Sequence, residues 1–176
     1  MNHIVPPFIH LENAQIPSRM EQLTYPAQFI IRSYRSWLSG VQHNDGRAWN
    51  DVWAQFTETY GTRNGKLALT WFVRMIGVLQ AHAPRTIRYH QPGCPCVGDD
   101  ERLFLSVITA CQTGDAAGAG RAAQSLVVSG GVSDLVAAAG QLALVMVQVD
   151  HRLDHRKTVH DDIGLDELKP LSRAIN

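Results

Sequence analysis

Residues 88–101 read RYHQPGCPCVGDDE and form the longest break in a chain that otherwise follows a helical pattern. Proline fixes the backbone and lacks an N–H, and glycine accepts turn conformations, so the two prolines and two glycines predict an irregular loop. Pro84 ends the helix before this break, and the acidic residues 99–101 place negative charge where the next helix begins and its dipole favours it. We therefore predict a Pro/Gly/Cys loop over residues 84–98 that joins two helical halves.

The segments on both sides of the loop predict an all-α protein. Apolar residues recur at helical spacing, and the alternation typical of β-strands is missing throughout the sequence. We expect a single-domain bundle of about six helices over residues 26–157. An irregular N-terminal arm is expected at residues 1–25 and a C-terminal tail at residues 158–176.

Glycine and proline suggest the helix boundaries. The first helix is expected to begin at Pro26 and to end before Gly40. Gly61 and Gly65 predict a break between the second helix and the third. The third helix, residues 66–82, is apolar on nearly all sides and is expected to lie at the centre of the bundle.

The last helix is expected to begin at Ser133 or Asp134 and carries apolar residues at alternating spacings of four and three. This heptad seam fits either a helix inside a bundle or one side of a two-fold interface. The seam consists of Leu135, Ala139, Leu142, Met146, Val149 and Leu153. Polar residues interrupt the apolar stretch 132–149, so we interpret it as a buried helix and expect no membrane span.

A pair of arginines, a run of three acidic residues and one cysteine near these helices can each be explained by their structural roles. Arg32 and Arg35 lie off the apolar stripe of the first helix and are expected to be solvated or bound to carboxylates, with an anion site as the alternative. The acidic residues 99–101 are explained by the helix dipole, although three carboxylates in a row can also bind a metal. Cys111 lies on an apolar helix face and is expected to be a core residue.

The side chains of His90, Cys94 and Cys96 place one imidazole and two thiols within seven residues of the loop. Imidazole and thiolate are the usual ligands of zinc, and a turn rich in proline and glycine would present them together. A tetrahedral site needs a fourth ligand, for which His82 and Cys111 on the neighbouring helices are the candidates. The spacing lacks the Cys-x2-Cys pair of common zinc knuckles, so zinc at these residues is one hypothesis among several.

Three other interpretations of the loop stay open. A disulfide between Cys94 and Cys96 would make a redox switch, and the neighbouring Arg88 and His90 would favour the reactive thiolate. A cysteine nucleophile with His90 as its base would make a small enzyme, although no oxyanion-hole motif accompanies it. The simplest interpretation is a rigid connection between helices in which the cysteines are small apolar fillers.

The composition narrows the class of protein and its compartment. The chain has 176 residues, the length of one domain, and its 16 Lys and Arg balance its 16 Asp and Glu, which argues against a nucleic-acid-binding protein. Only 18 % of the residues are charged and 45 % are hydrophobic, which suggests surface that a partner or a second copy covers. Three cysteines do not make a disulfide framework, and no signal-peptide pattern is visible, so we expect a cytoplasmic protein.

Two hypotheses about function follow from the sequence. The first is a non-enzymatic accessory, adaptor or regulatory protein that associates with another protein or with itself as a homo-oligomer. The low charge, the apolar arm, the heptad seam and the lack of a catalytic motif favour it. The second is a zinc-binding or thiol-redox protein centred on the loop, including a small enzyme, because scattered catalytic residues escape a search for motifs.

Overall fold

The computed structural model describes residues 16–153, which form five α-helices and a 3₁₀ turn at Met20–Gln22. The helices are α1 (Tyr25–His43), α2 (Gly46–His82), α3 (Asp99–Thr113), α4 (Ala116–Gln124) and α5 (Ser129–Gln148). This part of the chain contains no β-strand, only an isolated bridge between Arg19 and Cys96. The predicted all-α class is confirmed, with five helices in place of six.

The difference in number arises because α2 spans two of the predicted helices, which meet at a kink. Gly61 has φ 77° and ψ 162°, a non-helical backbone conformation open almost only to glycine, and it interrupts the helix there. After the kink the backbone passes so close to the preceding turn that a Cβ on Gly65 would lie 2.6 Å from the carbonyl oxygen of Phe56. The break predicted at these glycines is thus present as a kink at Gly61 between two helical segments of α2.

The end of α1 was also predicted too early. The helix is capped at its start by Thr24, whose Oγ1 accepts a hydrogen bond from the Ala27 N–H at 3.3 Å. It continues past Gly40 and ends at Asn44, which has the left-handed conformation with φ 51°. Gly40 serves packing, because a Cβ there would lie 2.8 Å from the indole nitrogen of Trp49.

α5 begins four residues earlier than Ser133 for a similar reason. Its first residue is Ser129, and Gly131 lies in the first turn, where a Cβ would come within 2.6 Å of the His82 Cβ. The N–H of Val128 donates to the His82 carbonyl at 2.9 Å, so the end of α2 is joined to the start of α5. The glycines expected to form a flexible turn thus allow two helix ends to meet.

The core of the bundle is built on α2 and α5, which run antiparallel. His82 meets Gly131 at one end of the pair, and the rings of Tyr60 and His151 are 5.2 Å apart at the other. The first four residues of the heptad seam are buried within the chain itself: Leu135, Ala139, Leu142 and Met146. The seam is therefore a core face of α5.

The part of α2 that was expected to be buried on nearly all sides has a solvent face. Leu67 is 44 % exposed, and the guanidinium of Arg74 lies outside, 3.6 Å from the carboxylate of Asp134 on α5. The buried residues of this part share the opposite face: Gly65, Ala68, Leu69, Phe72, Met75, Ile76, Val78 and Leu79. The helix is thus amphipathic, and α5 covers part of its length.

Two sequence-based expectations stay predictions. Among residues 16–153, α5 is the one helix long and apolar enough to cross a membrane, and a little under half of it is buried in the bundle. A core helix passes the same test, so the expected lack of a membrane span is undecided by it. Most of the predicted arm (1–25) and the whole predicted tail (158–176) lie outside the described residues.

We expect Gly65→Ala to lower the free energy of unfolding by about 1–3 kcal/mol, because the added methyl group meets the backbone of Phe56 and Thr57. Gly77→Ala in the same helix is the matched control. A Cβ there meets nothing within 4 Å, so alanine should stabilise by roughly 0.5–1 kcal/mol. Urea denaturation measures both, and equal effects would contradict the close approach at the kink.

Candidate functional site at the cysteine loop

A buried ion pair lies beneath the loop that was predicted at residues 84–98. Arg35 of α1 is 1 % exposed and Glu101 of α3 is 0 % exposed. Two parallel hydrogen bonds join them, from Nε to Oε1 at 2.7 Å and from Nη2 to Oε2 at 2.8 Å. This bidentate geometry is the strongest arrangement that a guanidinium and a carboxylate can form.

The same two side chains hold the backbone of the loop. Arg35 donates from Nη1 to the Cys94 carbonyl at 2.7 Å and from Nη2 to the Cys96 carbonyl at 2.5 Å. Glu101 accepts from the N–H of His90 at 3.0 Å and from the N–H of Gly98 at 2.8 Å. Four backbone groups of an irregular segment are therefore satisfied by one buried pair, which we call the Arg35–Glu101 clamp.

A second carboxylate fixes the start of the loop. Asp100 is buried and accepts two hydrogen bonds from the Arg85 guanidinium, at 2.6 and 2.7 Å. It also accepts from the Arg88 N–H at 2.7 Å. The acidic residues at the start of α3, which the sequence analysis assigned to the helix dipole, thus also bind the incoming chain.

The middle of the loop is a tight turn followed by a short extended pairing. The Cys94 N–H donates to the Gln91 carbonyl at 3.1 Å, and Gly93 has φ 88°, as glycine allows in a type II turn. The N–H of Met20 then donates to the Pro95 carbonyl at 2.8 Å, and the N–H of Val97 donates to the Ser18 carbonyl at 2.7 Å. The segment before α1 therefore lies along the loop.

These contacts determine the protonation of the two carboxyl groups. Burial by itself would raise the pKa of Glu101, but the hydrogen bonds from Arg35, Gly98 and His90 and the Arg35 charge outweigh it and hold that pKa below its usual range. The hydrogen bond from Arg85 holds the pKa of Asp100 below its usual range, against the opposing effect of burial. Both groups are therefore ionised at neutral pH.

The residues predicted as zinc ligands are not gathered around one point. Cys94 is half-buried and Cys96 is exposed, both as free thiols, and the His90 ring lies beside Gly98. His82 is at the end of α2, and Cys111 is about 18 Å along α3 from its first residue. Within residues 16–153 no three His, Cys, Asp or Glu side chains lie close enough to hold a metal ion.

Zinc at the loop accordingly stays a prediction that requires the loop to rearrange. The two thiols are the nearest available pair, whereas Cys111 has its own surroundings. Its Sγ is 3.8 Å from the Val136 carbonyl, and burial raises the pKa of its thiol above the ordinary value. An inert, half-buried thiol packed against the core agrees with the expectation that Cys111 is a packing residue.

A groove of about 420 Å³ opens between the loop and the start of α3. Its lining consists of Arg85, Arg88, Tyr89, His90, Gly98, Asp99 and Asp100. Two guanidinium groups face two carboxylates, of which Asp100 is already bound to Arg85 and Asp99 forms an ion pair with Arg102. The balanced charge selects neither an anion nor a cation, so the groove defines no ligand class.

Sequence reasoning found the loop and gave binding to carboxylates as one outcome for Arg35, but it did not identify Glu101 as the partner or the pair as buried. Arg35 and Arg32 were treated alike, yet only Arg32 reaches the surface, where it donates to Gln28 at 2.9 Å. The available signal was spacing, because Arg35 stands four residues after Ile31 and three before Leu38, in line with apolar positions. A charge in such a position indicates a buried partner, here one 66 residues away.

Comparison with known proteins does not identify a family for this chain. Neither a protein-family model, nor a curated protein, nor a solved structure matches the chain.

We expect Arg35→Met to lower the free energy of unfolding by about 3–5 kcal/mol, because Glu101 is left as a buried charge without its cation. Glu101→Gln should be similarly costly, since it leaves the Arg35 charge unpaired. The double variant should cost less than the sum of the two, with a coupling of at least about 1 kcal/mol in chemical denaturation. Additive effects would contradict direct pairing.

Acid should destabilise the protein below about pH 4, because the folded pKa values of Asp100 and Glu101 lie below the unfolded ones. Their contribution is complete above the unfolded pKa and is lost as the pH falls through the folded pKa. Urea denaturation as a function of pH measures this loss, and Asp100→Asn should make the curve less steep.

The titration of His151 also changes stability with pH, so that experiment needs a control for it. Burial lowers its pKa, so its contribution is lost already as the pH falls below about 6.5. A His151→Gln background removes this earlier phase. If Asp100→Asn in that background left the acid limb as steep as before, the assignment to the loop carboxylates would be wrong.

Proposed function

We propose that this chain is a non-enzymatic accessory or regulatory protein that works as a homodimer, and that the outer face of α5 forms the interface. One observation carries the proposal: six residues on the outer side of α5 form a stripe with the same spacing when it is read from either end of the helix. We call this stripe the α5 outer face. It consists of Ser133, Ala137, Gly140, Gln141, Leu144 and Gln148, of which Gly140 is half-buried and the others are exposed. The exposed Asp134 lies at the edge of the stripe and pairs with Arg74 of α2.

The α5 outer face is uncharged apart from Asp134 at its edge. Leu144 is 60 % exposed, and the polar residues within the stripe are serine and glutamine only. Ala137 and Gly140 are small, which allows another helix to approach closely. A face of this kind leaves part of the most apolar helix in water, and covering it removes apolar surface from solvent.

The positions of the stripe are symmetric about the point between residues 140 and 141. Two copies of α5 packed antiparallel about a two-fold axis at that point would therefore place Leu144 of each copy against Ala137 of the other. Ser133 would meet Gln148, which can form hydrogen bonds at the two ends. A large side chain set against a small one is the complementarity that helix packing needs, and an isologous contact repeats it twice.

The neighbouring surface and the charge of the chain support the same partner. Leu67 is a second exposed leucine, two helical turns from Arg74 on α2, and the Arg74–Asp134 ion pair places that side of α2 next to α5. The formal net charge of zero means that two copies do not repel each other. The heptad seam is buried in the core, so it is not the surface that such a dimer would use.

We expect sedimentation velocity to show a monomer–dimer equilibrium between about 5 and 500 µM, because a single helix pair buries a small interface. Leu144→Glu should keep the protein monomeric over this range by placing two charges in the interface. Val41→Glu is the matched control, since Val41 is 43 % exposed on α1. A compact monomer at all concentrations for the wild type would overturn the proposal.

The antiparallel register has its own test, made in a variant with serine at all three native cysteines. Gln141→Cys, close to the axis, should cross-link to itself under mild oxidation. Ser133→Cys should not, but a mixture of Ser133→Cys and Gln148→Cys chains should form the heterodimer. Efficient cross-linking of Ser133→Cys alone would indicate a parallel pair.

A further inference from the structure

The two loop cysteines lie in a backbone geometry that brings them close to bond formation. The carbonyls of Cys94 and Cys96 both point to Arg35, while the carbonyl of Pro95 points away, to the Met20 N–H. The chain bends at Pro95, and the carbonyls of the two flanking cysteines are bound by Nη1 and Nη2 of the same guanidinium. Cys94 and Cys96 are therefore held close together on either side of a bend.

We propose that Cys94 and Cys96 form a reversible disulfide and that its closure loosens the Arg35–Glu101 clamp. Two residues of fully extended chain span about 6.6 Å between Cα atoms, and a bend brings these atoms closer. Disulfides accept Cα separations up to about 6.8 Å, but they also require the two Cβ atoms to lie within about 4.5 Å of each other. The Cα separation is therefore within range, and closing the bond must draw the two Cβ atoms together by turning the backbone on both sides of Pro95.

This turning of the backbone acts directly on the clamp. The carbonyls of Cys94 and Cys96 are both held by one rigid, planar guanidinium, at 2.7 and 2.5 Å. If the backbone turns on both sides of Pro95, the two carbonyls cannot both keep their alignment with Nη1 and Nη2. Arg35 then retains Glu101 but loses part of its hold on the loop, so the redox state is coupled to loop order.

Access decides which thiol reacts first. Cys96 is exposed and Cys94 is half-buried, so an oxidant in solution meets Cys96. The remaining thiol, Cys111, is half-buried near the far end of α3 and packs against the core. Cys111 therefore serves as an internal control, because its thiol should not be oxidised.

The oxidant that we consider is a low-molecular-weight disulfide such as glutathione disulfide. The Cys96 thiolate attacks one of its sulfurs, forms a mixed disulfide and releases one glutathione thiolate. The Cys94 thiolate then attacks the Cys96 sulfur and releases the second. The protein loses two electrons and two protons, which end in two molecules of glutathione, and a small strained ring of this kind should be easily reduced again.

The test treats the full-length protein with glutathione disulfide, followed by alkylation and mass spectrometry. We expect a species two mass units lighter that is alkylated at Cys111 only and is restored by dithiothreitol. Cys111→Ser should form the same disulfide and take up no alkylating reagent, whereas Cys94→Ser should stop at the glutathione adduct on Cys96. A wild-type protein that also stops at this adduct, or that pairs Cys111, would overturn the proposal.

Coupling to the clamp is measured by amide hydrogen exchange in the reduced and oxidised protein. We expect the His90 and Gly98 amides, which Glu101 holds, to exchange about tenfold faster after oxidation, while amides in the middle of α2 are unchanged. Identical exchange in both states would overturn the coupling. Zinc content is measured on the same sample, and thiols that resist oxidation until a chelator is added would establish a metal site instead.

Discussion

The loop depends on the buried ion pair between Arg35 and Glu101. Residues 84–98 have no helix or sheet to satisfy their backbone, and a buried polar group without a partner is costly. The pair supplies the hydrogen bonds that secondary structure does not, because Glu101 accepts from two backbone N–H groups and Arg35 donates to two backbone carbonyls. It also joins α1 to α3 across 66 residues of sequence. Such a pair contributes specificity of structure more than net stability, since desolvation offsets much of its attraction.

The clamp explains why the loop is attached on several sides. Asp100 and Glu101 are neighbours on the first turn of α3, yet they bind different parts of the chain, Arg85 before the turn and Arg35 on α1. Both carboxylates are thereby removed from solvent and from any role as free metal ligands. What remains accessible at the loop is sulfur chemistry, because Cys96 is exposed and the half-buried Cys94 is only two residues away.

The sequence alone was sufficient for features that depend on local pattern. The all-α class, the position of the loop and the start of α3 at Asp99 follow from periodicity, proline, glycine and charge. Contacts between distant segments were not accessible in this way. Nothing near Arg35 indicates Glu101 as its partner, and nothing near Gly40, Gly65 or Gly131 shows that each faces a neighbouring backbone or side chain. Gly40 was therefore interpreted as a helix end and Gly131 as part of a flexible turn. The predicted number of helices exceeds the observed one because α2 spans two predicted helices across the kink at Gly61.

The most direct measurement on the clamp is native-state hydrogen exchange of the His90 and Gly98 amides in the reduced protein. If the buried carboxylate of Glu101 holds them, both should be protected to nearly the same extent as core amides of α2, such as that of Phe72, and should exchange only when the bundle unfolds. If they exchange as fast as the amide of Gly93 in the exposed turn, the loop opens independently of the core. That result would contradict a loop organised by the Arg35–Glu101 pair.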